Sequence, residues 1–243
     1  MTRPLETTEH GITIVPVERI EVDFEPRRWR LSDERQEEIA RHFAAVRQER
    51  PSIWNGRVLM LGDFAIAAGT FRGSCFEVDY ASFMYWQDHD YPDRNIHDCF
   101  AMGTIRSSDG AFVLGVQGPR TFNSGKIYFP CGTPDSGDLT DGRLDFEWSA
   151  RREVAEETGL DPAEFEGRPG WVTVFAGPVI AHMKLLKARQ TAVDLRARIL
   201  DHLARAREPE LSDIRIVRSE RDFDPMMPPF VTAYLRYAWR CLP

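Results

Sequence analysis

Three glutamates crowd one short stretch of the chain, the run REVAEETGL at residues 152–160. If this stretch is helical, Glu153, Glu156 and Glu157 stand at i, i+3 and i+4 and share one face of the helix. Like charges at this spacing repel each other and destabilise an isolated helix. A divalent cation removes that repulsion, and carboxylate oxygens are ligands that Mg²⁺ and Mn²⁺ prefer. The pattern alone leaves two interpretations open, metal chemistry and a charged, solvated helix that ends at Gly159.

Together with Gly132, the stretch resembles the signature of the Nudix hydrolases, G-x5-E-x7-R-E-U-x-E-E-x-G-U, in which U is a bulky aliphatic residue. The second half matches at every specified position between Arg152 and Leu160. The first half departs from the signature, because Asp138 stands where a glutamate belongs and thirteen residues separate it from Arg152. We interpret the extra length as an insertion, Leu139 to about Leu144, in the loop before the helix.

The resemblance implies hydrolysis of a diphosphate bond in a nucleoside-diphosphate-linked compound, with water attacking one phosphorus. Mg²⁺ or Mn²⁺ would be the cofactor, since such an ion screens the diphosphate and lowers the pKa of a bound water. The resemblance gives the metal ligands as the backbone of Gly132 and the carboxylates of Glu153, Glu156 and Glu157. Arg152 would hold a glutamate in place through a charge-assisted hydrogen bond.

The general base has two sources in proteins of this family, either a glutamate of the signature (Glu153 or Glu156 here) or one from a later loop. Glu208 and Glu210 lie in such a loop, just before a strand expected near Ile214. We select Glu210 as the candidate base. An ordinary exposed loop glutamate is the competing interpretation of the same residue.

The run from Gly125 to Pro130, followed by Asp135 and Asp138, is similar in part to the G-x3-F-P-G-G-x-x-D-x-x-D run of coenzyme A-type Nudix pyrophosphatases. Cys131 replaces the first glycine of the pair. The similarity makes coenzyme A or acyl-coenzyme A a candidate substrate, and it leaves nucleotide sugars and dinucleotides open. The roles of Asp135 and Asp138 also stay open, because either residue stands near the missing glutamate of the signature.

A second hypothesis keeps the fold without the reaction. Some Nudix-fold proteins bind a nucleotide-like ligand, hydrolyse nothing and act as regulatory modules, but these commonly lose glutamates that this chain retains. An isoprenoid diphosphate isomerase would need a cysteine and a glutamate placed for protonation, and Cys131 alone does not meet that need. We therefore favour the hydrolase.

The composition is that of an ordinary globular protein, with 42% hydrophobic and 28% charged residues in a chain of 243. A net charge of −7 gives no basic footprint for nucleic acid. No signal peptide and no apolar run of membrane-spanning length is visible. We therefore expect a cytoplasmic protein that acts on a small-molecule diphosphate, with neither a nucleic-acid nor a membrane partner. The resemblance also allows a homodimer.

The chain divides into an N-terminal α+β extension at residues 1–96 and a Nudix hydrolase domain at residues 97–243. We expect the extension to serve substrate recognition or dimerisation. Its pattern predicts one helix from Asp33 to about Gln48, and short strands at Arg57–Leu61, Phe64–Phe71 and Cys75–Val78. Its aromatic segment Tyr80–Asn95 either packs on the core or offers a stacking platform.

In the second part, the residues from Ser107 to Gly110 predict a hairpin turn. Asp145 is the expected N-cap of the helix that carries the glutamates, and Phe146, Ala150 and Val154 form its core-facing stripe. The resemblance implies an α/β fold, specifically an α/β/α sandwich around a mixed central sheet.

Overall fold

The computed structural model describes residues 6–7, 11–51 and 53–242, which form two compact units. The first unit contains the described residues up to Arg19, then Phe100–Gly132 and the residues from Phe146 onward. The second contains Ile20–Cys99 and Thr133–Asp145. The units are thus interleaved along the chain, and the simpler division at residues 96 and 97 stays a prediction.

The described residues contain strands and helices that we number in chain order. The strands are β1 (Glu6–Thr7), β2 (Thr13–Val17), β3 (Arg19–Phe24), β4 (Arg57–Ala67), β5 (Thr70–Asp79), β6 (Asp98–Arg106), β7 (Phe112–Gln117), β8 (Ile127–Tyr128), β9 (Leu139–Thr140), β10 (Arg143–Leu144), β11 (Glu166–Gly167), β12 (Trp171–Ala176), β13 (Val179–Lys187) and β14 (Leu211–Val217). The helices are α1 (Arg30–Glu34), α2 (Gln36–Glu49), α3 (Tyr80–Asp88), α4 (Phe146–Thr158), α5 (Ala192–Arg205) and α6 (Pro229–Cys241).

The first unit is built on one large sheet, with the order β1-β2-β12-β13-β6-β7-β14 among the described strands. Strand β11 pairs with β13, and β8 pairs with β7. Successive residues of a strand point to opposite faces of a sheet. Ile105 and Val113 accordingly pack on one face with α4 and α5, whereas Phe112 and Leu114 pack on the other face with α6. This arrangement is the α/β/α sandwich expected from the sequence, and the α/β fold class is confirmed.

Helix α4 lies close against this sheet through its apolar stripe. Phe146, Ala150 and Val154 are all buried, as their spacing predicts. A Cβ at Gly103 of strand β6 would clash with Val154, so the glycine permits the close approach. The helix ends at Thr158, and Gly159 follows in the left-handed region with φ of 66°. A glycine takes this conformation at little cost, which explains where the helix stops.

The second unit combines helices α1, α2 and α3 with a sheet in the order β4-β5-β3-β10-β9. Two of our expectations were wrong in detail, and one open alternative is decided. The helix expected from Asp33 is two helices, separated at Arg35. The three apolar runs form two long strands, β4 and β5, because the run from Phe64 to Phe71 is folded over at Ala68 and Gly69, which both have positive φ. In the aromatic segment, Phe83, Tyr85 and Trp86 are buried, which favours packing over a stacking platform.

The insertion between Leu139 and Leu144 is also ordered. It forms the hairpin β9–β10, with Asp141 and Gly142 at positive φ in its turn, and Arg143 of β10 pairs with Asp23 of β3. Asp135 and Asp138 close a capping box on the short turn before it, each accepting a backbone hydrogen bond. These two aspartates therefore satisfy backbone groups of their own turn.

Candidate functional site

Helix α4 places two carboxylates on the buried side of its last two turns. Glu153 and Glu157 are one turn apart and only 7% and 3% exposed. Glu156 lies on the same helix but faces outward, with 58% of its side chain exposed. The structure therefore splits the three glutamates, bringing Glu153 and Glu157 together in the protein interior and leaving Glu156 at the surface.

The loop before the helix contacts both buried carboxylates. The Cys131 N–H donates a hydrogen bond of 2.9 Å to Glu157 Oε1. A Cβ on Gly132 would clash with Glu153 Oε1, so any larger residue would require the Glu153 carboxylate to move. The loop is tied to the sheet, because the Gly103 N–H donates to the Pro130 carbonyl at 3.2 Å. Gly132 thus allows the Glu153 carboxylate its present position, an observation that is independent of the family resemblance.

Arg152 bridges the buried and the exposed glutamates. One guanidinium nitrogen lies 2.9 Å from Glu153 Oε1, and another lies 2.9 Å from Glu156 Oε2. Such charge-assisted bonds fix the direction of a carboxylate as well as its charge state. Arg152 therefore pairs with both glutamates, and its role in orienting Glu153 stays a prediction.

Glu157 lacks comparable compensation. Burial raises its pKa well above the ordinary value, and the negative charges of Glu153 and Glu210 raise it further. The Cys131 N–H and the Gln117 side chain act in the opposite direction. Its Oε2 is buried and has no hydrogen-bond donor in the described part of the chain. A buried oxygen in this position is costly unless a proton or a cation reaches it.

Glu210 lies immediately before strand β14 and is exposed. Its negative charge nevertheless raises the pKa of Glu157. Burial raises the pKa of Tyr128, and the negative charges of Glu157 and Glu210 also raise it. Glu208, the other glutamate of this loop, instead lies 3.6 Å from the Arg120 guanidinium. Of the two loop residues, Glu210 is the one whose negative charge raises the pKa of Glu157.

Sequence reasoning missed three contributors to this group, namely the Cys131 amide, Gln117 and Tyr128. Gln117 is 5% exposed and ends strand β7, whereas Tyr128 is 8% exposed and ends β8. The only sequence signal was the position of Tyr128 and Cys131 just before the glycine of the signature. Nothing in the sequence marked Gln117, because its contact with Glu157 depends on how β7 and α4 pack.

The donor set suits a hard divalent cation. Glu153 and Glu157 offer carboxylate oxygens, Oε2 of Glu157 is unpaired, and Glu210 adds a third negative charge nearby. Within the described residues no three side chains of metal-ligating type already converge as a metal site. Arg152 pairs with Glu153 instead. The residues therefore fit a cation by chemistry and burial, and binding would require the carboxylates to turn toward it.

Comparison with known proteins finds similar solved structures. No protein-family model and no curated protein matches the chain. One similar solved structure is the crystal structure of a Nudix hydrolase from M. smegmatis, RenU, at 18% sequence identity and a TM-score of 0.40. The likeness covers 60% of this chain and 88% of that chain. At this level it identifies neither the family nor the activity of the chain, so its function has to be argued from the site.

None of the described helices is both long and apolar enough to cross a bilayer.

Proposed function

We propose that the chain is a metal-dependent hydrolase that cleaves a diphosphate bond in a nucleoside-diphosphate-linked compound. The observation that carries this proposal is the buried, unpaired Oε2 of Glu157, one helical turn from the buried Glu153. When both are ionised, Glu153 and Glu157 carry two negative charges in the interior, and Arg152 pairs with Glu153 alone of the two. A functional site is where such an imbalance is expected, because there it is corrected by a ligand.

Glu153 and Glu157 would hold Mg²⁺ or Mn²⁺, with the backbone beside Gly132 close to both. When bound, such an ion screens the diphosphate and acidifies a bound water. Arg152 keeps Glu153 oriented, and Glu156, paired with Arg152, supports that orientation from the surface. Glu210 would accept the proton of the attacking water as the new P–O bond forms. The bond between the attacked phosphorus and the bridging oxygen then breaks, and the leaving phosphate keeps that oxygen.

The substrate class is proposed at the level of a small molecule with a diphosphate bond. Coenzyme A compounds, nucleotide sugars and dinucleotides are the candidates that the sequence raised. The test is release of phosphate-containing products from a panel of these compounds and nucleoside triphosphates, with Mg²⁺, with Mn²⁺ and with EDTA. We expect one class to be cleaved only when metal is present.

Glu157→Gln is the diagnostic variant and Glu164→Gln is its matched control. Glu164 is also a glutamate with close partners, but these are Arg198, at 2.7 Å, and Gln190 at the surface. Glu157→Gln should lower metal-dependent turnover roughly 100- to 1,000-fold, and Glu164→Gln should keep it. Equal turnover in the two variants would refute the assignment of Glu157.

The competing function is a ligand-binding or regulatory protein that hydrolyses little or nothing. Two departures from the signature favour it, namely Asp138 in place of a glutamate and the insertion after it. Binding of one compound class without any metal-dependent product, in folded protein, would support this alternative over the hydrolase.

A further inference from the structure

The loop before helix α4 is anchored on strand β6. This strand pairs with β7 at Ile105. Two residues earlier it contacts the loop instead, because the Gly103 N–H donates a hydrogen bond of 3.2 Å to the Pro130 carbonyl. Pro130 directly precedes Cys131, whose N–H donates to Glu157 Oε1 at 2.9 Å. The loop therefore reaches Glu157 from an anchor at Gly103.

Gly103 also determines how closely helix α4 approaches the strand. A Cβ on this residue would clash with the Val154 side chain and would lie 3.2 Å from the Ala150 carbonyl oxygen of the helix backbone. Val154 is completely buried and directly follows Glu153 in the sequence, with Glu157 three residues further on. The turn of the helix that packs on Gly103 is therefore the turn that carries the two buried carboxylates.

The reason for a glycine at this position is steric. Gly103 has no positive φ, so its backbone conformation alone would tolerate another residue. An added methyl group would act on the gap between helix and sheet. Val154 could not easily turn away, since a valine in a helix strongly prefers one χ1 rotamer. Overpacked cores shift their backbone, so an alanine here should move α4 away from β6.

A displaced helix would separate the two parts of the candidate site. Glu157 would move away from the Cys131 N–H, and Glu153 would move away from Gly132, which it now approaches so closely that a Cβ there would clash. The loop would not follow the helix, because its anchor is the Gly103 N–H. A shift of roughly 1 Å is enough to break a hydrogen bond of ordinary length.

We propose that Gly103 is a positioning residue that sets the distance between the loop at residues 130–132 and the carboxylates of Glu153 and Glu157. Gly103 touches neither substrate nor metal in this account and acts only through the loop and the helix that it holds. The inference rests on the proposed function for its consequence, because a cation bound by Glu153 and Glu157 needs both carboxylates beside the loop.

The first test is the affinity for Mn²⁺ alone, measured by calorimetric titration of the whole protein in its folded state. Gly103→Ala should weaken Mn²⁺ binding about tenfold, because small misplacements of site groups are costly. Adding Val154→Ala to it should restore the affinity to within about twofold, since this truncation removes the methyl groups that the new Cβ would meet.

Two single variants are the controls for this titration. Gly115→Ala crowds a glycine of the same sheet, but its Cβ would meet the Leu211 side chain instead of α4. Val154→Ala alone opens space beside Gly103 without pushing the helix. Both should keep the native affinity for Mn²⁺ within about twofold, even where they lower the stability of the fold.

A second measurement needs no metal. The Cys131 amide proton is engaged with Glu157, so its hydrogen exchange should become about tenfold faster in Gly103→Ala. It should return toward the native rate when Val154→Ala is added, and Gly115→Ala should leave it unchanged. A purely structural role for Gly103 would lower stability without affecting this amide in particular.

Native affinity in Gly103→Ala would overturn the proposal. So would a double variant that binds Mn²⁺ as weakly as Gly103→Ala alone, because the effect would then not pass through the contact with Val154. Should Gly103→Ala fail to fold, Val154→Ile presses on the same contact from the helix with one added methylene group. It should weaken binding about threefold, and native affinity in Val154→Ile would then overturn the proposal.

Failure of the proposed function gives a different result. If the native protein binds no Mn²⁺, the metal-dependent reaction is refuted, and exchange of the Cys131 amide still decides the positioning role. Faster exchange in Gly103→Ala that Val154→Ala reverses would support that role. The native exchange rate in Gly103→Ala would overturn it.

Discussion

Helix α4 carries acidic residues in its first turn and in its last turn, and their surroundings differ in kind. Glu147, in the first turn, lies 2.8 Å from the Lys184 ammonium, and its other oxygen accepts hydrogen bonds from Arg151. Partial burial tends to raise the pKa of Glu147, but the hydrogen bonds and charges of Lys184 and Arg151 outweigh it and lower the pKa. The negative charge of Glu147 is therefore compensated by two positive side chains of the protein itself.

Glu157, near the other end, has the opposite balance. It is buried more deeply than Glu147, its pKa is raised, and its nearest charged groups are further carboxylates. Lys184 lies beside Glu147, whereas the groups that favour the charged form of Glu157 are the Cys131 N–H and the Gln117 side chain. The comparison indicates that the charge of Glu147 is compensated within the protein and that the charge of Glu157 is not, which is why we propose Glu157 as a ligand for a cation.

The largest expected difference between the two acids is in turnover. Glu157→Gln should lower metal-dependent turnover roughly 100- to 1,000-fold, since one metal-ligand contact contributes several kcal/mol to the transition state. Glu147→Gln should change turnover no more than about threefold, because that residue touches no reacting group. Steady-state kinetics on the compound selected by the panel would measure both. Equal losses would remove the distinction between the two ends of the helix.

A smaller effect is expected on stability at the Glu147 end. Glu147→Gln removes the negative charge beside the buried Lys184 ammonium, which also lies 4.8 Å from the centre of the Trp171 ring. The free energy of unfolding should fall by about 1–2 kcal/mol at pH 7, less than for a fully buried pair because Glu147 is partly exposed. Urea denaturation measures the difference.

The pH dependence of this difference has a definite sign. The folded-state pKa of Glu147 is lowered, so its stabilisation is present above the unfolded-state pKa and is lost as the pH falls through the folded-state value. The gap between the native protein and Glu147→Gln should therefore close in acid. A gap that widens in acid would contradict the assignment.

The smallest expected effect is at Glu156, the glutamate that the helix leaves exposed. The sequence predicts it as a metal ligand, whereas the structure pairs it with Arg152 at the surface. Exposed ion pairs contribute at most about 1 kcal/mol. Glu156→Gln should therefore reduce turnover less than about fivefold. A loss as large as that of Glu157→Gln would show that Glu156 binds the metal directly.

The elements that carry local periodicity could be predicted from the sequence. The stripe of Phe146, Ala150 and Val154 and the glycine after Thr158 define α4, and the turn before Ala111 defines a hairpin. The sequence could not predict that Glu156 would be exposed while Glu153 and Glu157 are buried. Spacing gives the angles between the three side chains around the helix, but not which of them faces the core.

Contacts between segments that are far apart in the sequence could not be predicted either. The bond from Cys131 to Glu157 and the one from Gly118 to Glu210 join residues whose proximity depends on the sheet order. The insertion likewise gave no sign that it would pair with β3, since two-residue strands have too little pattern to detect. What sequence supplies here is the chemistry of each residue, and what the fold adds is the choice of partners.

The most direct test of the account is the melting temperature of native protein and Glu157→Gln at pH 8, each with EDTA and with Mn²⁺. The raised pKa of Glu157 means that its folded form prefers the proton, so ionisation costs stability as the pH rises above the unfolded-state pKa. With EDTA, Glu157→Gln should therefore melt a few degrees above the native protein. With Mn²⁺, the native protein should gain stability by mass action and the variant should not. A variant less stable than native protein in EDTA, or an equal gain from Mn²⁺ in both, would contradict the assignment of Glu157 to a cation site.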